Sequence, residues 1–174
     1  MINETLKTLE DRRSCRCYKD ELIEDEKLEA ILKAGTYAAT GMNRQSPIMI
    51  AVTNSKMRDK LSKLNASFLN SDTDPFYGAP ELIIVLAKAD VSTHVYDGSL
   101  VMGNLMNAAE SLGVKSCWIH RAKEMFASEE GKAILKDLGI EGEYEGIGNL
   151  ILGYSDCGKI EAKPRKENYI YYIR

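Results

Sequence analysis

Apolar residues recur along this chain with two periods, and the two alternate. Leu6 and Leu9, preceded by Asn3 as an N-cap, predict a helix over residues 3–11. Leu28, Ile31, Leu32 and Gly35 share one face of a helix over 25–38. Ile48 to Thr53 reads as a short buried strand, and Met57, Leu61 and Leu64 return to helical spacing over 55–64. The polar stretch from Asn65 to Pro75 reads as a flexible loop. Leu82-Ile83-Ile84-Val85-Leu86 is apolar without interruption, as suits a strand covered on both faces. Asp97 to Gly113 is the longest helix, with Leu105, Ala108, Ala109 and Leu112 facing inward and Gly113 as its stop. Its small residues Gly103, Ala108, Ala109 and Ser111 suit close packing against a sheet or another helix.

Ser116 to Ile119 is a further strand, Ser128 to Leu138 a capped helix with Glu129 and Glu130 in its first turn, and Ile147 to Tyr154 a strand again. The tail Tyr169-Ile170-Tyr171-Tyr172-Ile173 reads as a strand with nothing after it. Such an edge is exposed and prone to pairing; either a second subunit's sheet or an edge position in the same chain covers it. Helix and strand segments alternate without repeats or low-complexity linkers, which predicts an α/β or α+β fold. A chain of 174 residues is long enough for a real core and is expected to form one domain, residues 1–174.

Composition narrows the function. The chain carries 23 basic and 26 acidic residues, a net charge of −3, so it has no basic footprint for nucleic acid and any anion site must be local. No apolar run approaches the roughly 20 residues needed to cross a bilayer. Met1-Ile2-Asn3-Glu4 has no charged-then-apolar leader, and a cytoplasmic location is expected. Cys15, Cys17, Cys117 and Cys157 match neither zinc-ligand nor thioredoxin spacing and read as free thiols in a reducing cytosol. Cys15 and Cys17 lie among arginines, a setting that lowers thiol pKa values and allows a redox-sensing role.

Against this acidic background stands Arg12-Arg13-Ser14-Cys15-Arg16. Three guanidiniums and a hydroxyl match phosphate oxygens in geometry and charge, and Arg12 and Arg16 share a side if the segment is still helical. Lys163-Pro164-Arg165-Lys166 is a second basic group that can complete such a site. Thr40 to Pro47 places Asn43 and Gln45, each both donor and acceptor, between a helix and a strand, where they suit the edge of a heteroaromatic ring. A solvated charged face and an ordinary Gly/Asn turn are the plainer readings of these segments. There is no catalytic triad, metal-ligand pattern or G-x-G-x-x-G after a strand, so a phosphate-bearing cofactor must be held by arginines.

Taken in order, these segments resemble the nitroreductase family of FMN-dependent oxidoreductases over nearly the whole chain. Arg12 to Arg16 with Tyr18 is similar to its R-R-S-x-R-x-[FY] motif, and Ala39 to Gln45 to its A-P-[ST]-x-x-N-x-Q segment. Tyr77-Gly78-Ala79-Pro80 resembles the lead into a core strand, and Asp97-Gly98, Asn104 and Ala108-Ala109 a helix motif. Gly113 to Ile119 resembles G-L-G-[ST]-x-W-I, and Leu152-Gly153-Tyr154 with Arg165 the closing motif. The resemblance implies an α+β fold: a central, mainly antiparallel sheet flanked by helices, in an intertwined homodimer with the C-terminal strand exchanged. It implies FMN at the dimer interface, NADH or NADPH as donor, and an electron-poor acceptor such as a nitroaromatic or quinone, exchanged ping-pong.

By position, Arg12, Arg13, Ser14 and Arg16, with Arg165, would hold the phosphate and ribityl chain, with Arg16 also near the flavin's N1 and C2 carbonyl. Asn43 and Gln45 would reach the ring from the partner, and the backbone of Val114, Lys115 and Ser116 would approach N5. No protein residue is expected to act as catalytic acid or base. Three positions differ from the family: Thr40 replaces a proline, Gln45-Ser46-Pro47 replaces Q-P-W, and Gly113-Val114-Lys115 replaces G-L-G. The segment between the 55–64 helix and Pro80, which carries helices over the flavin in longer members of the family, reads here as mostly loop, which implies a more open pocket or one covered by the partner. A non-catalytic flavin-binding or thiol-sensing module on the same fold is the alternative.

Overall fold

Successive side chains of a strand point to opposite faces, so a strand that is apolar at every position needs a cover on each side. The computed structural model, which describes residues 2–158 and 160–174, supplies both covers. The elements are α1 (Glu4–Asp11), α2 (Asp25–Thr36), a 3-10 turn (Gly41–Asn43), β1 (Pro47–Val52), α3 (Ser55–Ser67), β2 (Glu81–Lys88), α4 (His94–Ser111), β3 (Lys115–Ile119), α5 (Ala122–Ala127), α6 (Glu129–Asp137) and β4 (Tyr144–Gly153). The four strands form one sheet in the order β1-β2-β4-β3, antiparallel at every pairing. Ile83, Val85 and Ala87 of β2 pack toward α2 and α4, with Ile31, Met102, Leu105 and Leu150. Leu82, Ile84 and Leu86 turn to the other face and meet Leu61, Phe76, Met125 and Ile151. This is the α+β sheet flanked by helices that the sequence implied.

Local signals set the element ends. The Asn3 side chain accepts from Leu6 N at 2.9 Å, Asn54 accepts from Met57 N at 3.0 Å, and Ser128 accepts from Gly131 N at 3.2 Å. Gly113, at φ +74°, closes α4: its N–H donates to Glu110 O and that of Val114 to Ala109 O, the paired bonds of a Schellman end. Gly98 is needed for contact rather than for its dihedral, since a Cβ there would lie 2.5 Å from Ile147 Cγ1. Among the described residues no helix is long and apolar enough to cross a membrane.

Four expectations are corrected. First, α3 continues through Ser67, so residues 65–67 are helical rather than loop; Asn65 is buried and its Nδ2 donates to His120 O at 2.8 Å. Second, α4 starts at His94, one turn before Asp97, and α5 follows a left-handed Arg121 (φ 73°) that periodicity did not mark. Third, β1 is a partly exposed edge strand, not a buried one. Fourth, the tail Tyr169 to Ile173 takes no edge position in its own chain's sheet, and every one of these side chains is exposed; pairing with a second subunit is the reading this leaves.

The segment after α3 is organised by Asp74. Its carboxylate accepts from Ser62 Oγ (2.6 Å), Phe76 N (2.9 Å), Gly78 N (2.7 Å) and the buried Arg58 guanidinium, whose Nε also holds Ala79 O at 2.8 Å. Burial pushes the Asp74 pKa up, but the bonds from Ser62, Arg58, Gly78 and Phe76 outweigh it and hold the group below the usual carboxylate range. A depressed carboxylate stabilises the fold above its unfolded pKa and loses that contribution as pH falls through the folded one. Asp74→Asn is therefore expected to lower stability at pH 7 by about 2 kcal/mol, after discounting for solvent at the carboxylate. In urea titrations the gap between variant and wild type should narrow below pH 4; a constant gap down to pH 2.5 refutes the assignment.

Candidate functional site

The helix α1 stops at Asp11, and Arg12, at ψ 129°, turns the chain into an extended strap beside β3. Ser14 bridges Ser116 in parallel fashion, and Cys15 N donates to Ser116 O at 3.0 Å. Arg12 and Arg16 thus lie on an extended segment, not on one helix face. Side chains alternate along it: Cys15 is buried inward while Ser14 and Arg16 reach solvent. The Tyr18 hydroxyl donates to Cys15 O at 2.8 Å and pins the bend; burial pushes the pKa of this phenol far up, with smaller effects from its neighbours.

The strap's cations are differently placed. Arg13 Nη1 donates to the carbonyls of Glu10 (2.6 Å) and Arg12 (2.7 Å), which fixes its guanidinium. Arg12 Nη1 and Arg13 Nε are shielded from solvent and have no hydrogen-bond partner. Buried charged donors are seldom left so, and both nitrogens can donate to an anion. Arg16 is exposed, its guanidinium 5.8 Å from the centroid of the Tyr77 ring.

The strap's neighbour is the start of β3. Val114 and Ser116 are buried, and Lys115 is half-buried with Nζ 2.8 Å from Glu110 Oε1. A cleft of about 500 Å³ opens here, lined by Arg13 and Lys115, by the acids Asp11 and Glu110, and by Cys157 and Ile160 of the segment after β4. Arg165 lies further along that arm and donates to Lys163 O from Nε (3.2 Å) and Nη2 (2.6 Å); no described contact joins it to the strap. Predicted site residues 12–16 and 114–116 are therefore brought together within one chain.

Asn43 and Gln45 are not brought to them. They occupy the turn before β1, both exposed and both left-handed, with φ of 53° and 49°. Gln45 Nε2 donates to Asn43 Oδ1 at 3.1 Å, so the two amides act as one unit. Thr40, where the family pattern has proline, supplies the hydroxyl that accepts from Gln45 N at 3.1 Å. Asp97, 3 % exposed, holds the turn from beneath, accepting from Gly41 N and Thr93 Oγ1 at 2.9 Å each. The turn leads into Pro47, which pairs with Ala87 at the last residues of β2. The strap instead lies level with Glu81, the first residue of β2, through Ser116 and Leu152. Roughly 20 Å of strand, six steps at about 3.4 Å, separates the two groups.

Two contributors escaped the sequence reading. The anchoring role of Asp97 had a local signal, a threonine four residues ahead of an acid in a helix's first turn, but its bond to Gly41 spans the fold. The cysteines had none: Cys17 and Cys157 form a disulfide across 140 residues, while Cys15 and Cys117 are free and buried. This corrects the expectation of four free thiols. It also removes a sensing pair made of Cys15 and Cys17, because burial withdraws one and the disulfide engages the other.

The sequence profile of the Nitroreductase family matches residues 9–81. A protein of Archaeoglobus fulgidus, whose name places it among NADH dehydrogenases/NAD(P)H nitroreductases, is 33% identical over 159 residues, covering 88% of this chain and 86% of that one. The crystal structure of a nitroreductase with bound FMN from Bacteroides fragilis is similar over 99% of this chain and 100% of that one, with a TM-score of 0.90 and 30% identity. A nitroreductase with bound FMN from Desulfitobacterium hafniense matches over 100% of both chains, with a TM-score of 0.89 and 28% identity.

Removing the Asp97 carboxylate leaves a backbone N–H and a hydroxyl without their buried acceptor. Asp97→Ala is expected to cost about 2–3 kcal/mol in urea unfolding and to speed hydrogen exchange at the Gly41 amide. If Gly41 exchanges as slowly in the variant as in wild type, Asp97 is not the anchor of the Asn43–Gln45 turn.

Proposed function

The chain belongs to the nitroreductase family, and on that premise we propose that residues 1–174 act as one FMN-binding domain of an NAD(P)H-dependent oxidoreductase. The observation that carries this reading is the pair of shielded, unpartnered guanidinium nitrogens on Arg12 and Arg13, set beside β3. Each offers a charged donor to a phosphate oxygen, and Arg12, Ser14 and Arg16 share one side of the extended strap, where a guanidinium, a hydroxyl and a second guanidinium suit such an anion. Arg165 adds a further cation as the arm folds against a partner. Bound there, FMN supplies a ring that takes hydride from NADH or NADPH at N5 and yields it to an electron-poor acceptor such as a nitroaromatic or quinone.

The protein's own part is positioning and electrostatics. The backbone of Val114 to Ser116, fixed by pairing with Gly153 and Leu152, offers a rigid edge to the ring. Arg16 places positive charge where reduction makes the ring anionic. No acid or base in the site is called on, so donor and acceptor can use one slot in turn.

Separation along the sheet supports a homodimer. Asn43 and Gln45 stand at the opposite end from the strap, so a ring held at the strap meets these amides only from a second subunit. Other surfaces agree with that partner. Leu6, Leu9, Tyr96 and Leu100 are exposed apolar residues on α1 and α4. The outer edge of β1 has no strand beside it among the described residues, whereas that of β3 carries the strap. The tail Tyr169 to Ile173 supplies a strand for the partner's β1 edge. A cytoplasmic setting, where NAD(P)H is made, suits this chemistry.

The first test is the spectrum of the purified protein: a flavin band that NADH or NADPH bleaches without oxygen, and that a quinone restores. A colourless protein that cannot be loaded with FMN ends the proposal. Arg12→Ala and Arg16→Ala should each weaken FMN binding ~10–100-fold with the dimer intact. The shared site has its own check. Mixing Arg12→Ala/Arg16→Ala subunits with Asn43→Ala/Gln45→Ala subunits should restore FMN binding to one site per mixed dimer, since the other collects every lesion. No recovery on subunit exchange argues that each site is built from one chain.

A further inference from the structure

The strap is tied twice to the root of the C-terminal arm, and one tie is covalent. The chain is firmly placed as far as Tyr154: Lys19 N donates to Tyr154 O at 2.9 Å, and the Tyr154 hydroxyl accepts from Lys27 Nζ at 2.6 Å and donates to Glu24. Beyond it, the described residues among 155–174 form no helix or strand. Two ties hold the start of this segment to the strap. Lys19 Nζ meets Asp156 Oδ1 at 2.8 Å, an ion pair open to solvent and screened by salt. Cys17 meets Cys157 with their Cα atoms 6.2 Å apart, inside the range a disulfide spans without moving the backbone. Cys15 takes no part in the bond; its buried Sγ donates to Cys17 O at 3.1 Å and helps present Cys17 outward.

We propose that Cys17 and Cys157 are a reversible redox site, a latch that holds the arm as one wall of the cleft beside the strap when oxidised and releases it when reduced. Both residues are exposed, so a thiolate reaches either sulfur, and the low-molecular-weight or protein dithiols of a reducing compartment are the reductants of the right class. In a cytoplasmic protein an accessible pair of this kind is transient rather than structural. The step is a two-electron exchange. A dithiol attacks the Cys17–Cys157 bond through a mixed disulfide, its own two sulfurs close into a disulfide, and two electrons and two protons pass to Cys17 and Cys157 as thiols. A disulfide oxidant reverses each transfer.

Release has a place to act. Cys157, Ile160 and Ala162 line the cleft together with Arg13 and Lys115, and the same arm carries Arg165 and the tail. With the covalent tie gone, the exposed Lys19–Asp156 pair is left to hold the start of the arm at Asp156. The consequence for the cofactor rests on the function proposed above; the latch itself does not.

The test uses the full chain equilibrated with reduced or oxidised dithiothreitol. After alkylation, peptide mass mapping should find the Cys17–Cys157 peptide joined in the oxidised protein and both thiols alkylated in the reduced one, with Cys15 and Cys117 unlinked in each. Tryptic cleavage after Arg165 and Lys166 should be about tenfold faster in the reduced state, as the arm opens more often. Cys157→Ser should cleave at the fast rate in both buffers. FMN affinity, read by quenching of flavin fluorescence, should fall several-fold on reduction of the wild type and stay unchanged in Cys157→Ser. Absence of the joined peptide overturns the proposal, as does a joined peptide with equal cleavage in both states. If neither state binds FMN, the proposed function fails while mapping and cleavage still decide the latch.

Discussion

Burial of β2 and β4 on both faces is the constraint from which the rest of the molecule follows. Leu82 to Leu86 and Leu150 to Leu152 are all within 1 % of full burial, so each face of the sheet must carry a helix layer. α2 and α4 cover one face, and α3, α5 and α6 cover the other. A sheet so covered has no open face for a ligand. Chemistry is left with the ends of the strands and the two edges, and the chain uses these unequally. The strap occupies the β3 edge and brings the arginines to the end where β4 finishes. The β1 edge is open, and the Asn43–Gln45 turn is at the far end.

That asymmetry links fold to assembly. The strap and the Asn43–Gln45 turn lie at opposite ends of the sheet, and among the described residues no strand pairs with the outer edge of β1; the homodimer proposed above answers both. The arrangement also accounts for where backbone strain is found: Met42, Asn43 and Gln45 are left-handed non-glycine residues, a conformation that persists only where surroundings impose it. Asp97 and Thr40 impose it here, presenting two amides outward with no partner from their own sheet.

The sequence made the short-range physics legible. Asn3 and Ser128 as caps, Gly113 as a helix stop and the unbroken run of β2 are all written within a few residues, and each is found in place. What the sequence did not carry is long-range. α3 extends past Leu64 because Asn65, polar in isolation, finds the His120 carbonyl in the core. Asp74 organises a stretch that reads as loop because its partners lie on α3. Tyr169 to Ile173 has a strand's composition, but pairing decides whether a strand forms, and no edge in the same chain reaches it. For the candidate site, motif order placed residues 12–16 and 114–116 in one group and Asn43 and Gln45 in another, and the fold keeps those groups apart; the Cys17–Cys157 bond, made across 140 residues, had no signal in the sequence.

Lys115 shows how a departure from a family pattern can be absorbed locally. A lysine beside a flavin-binding strand adds bulk and charge where a glycine offers bare backbone. Here the side chain folds back to Glu110, in the last turn of α4. An acid at a helix C-terminus opposes the helix dipole, and a cation brought to it offsets that repulsion. The pair therefore settles two local problems: Glu110 gains a counter-charge at an unfavourable position, and Lys115 is drawn aside from the strand edge. With Lys115 so engaged, Arg12, Arg13 and Arg16 remain the cations free to meet an anion at the strap. The helix end beside the altered G-V-K segment supplies the counter-charge that holds its lysine.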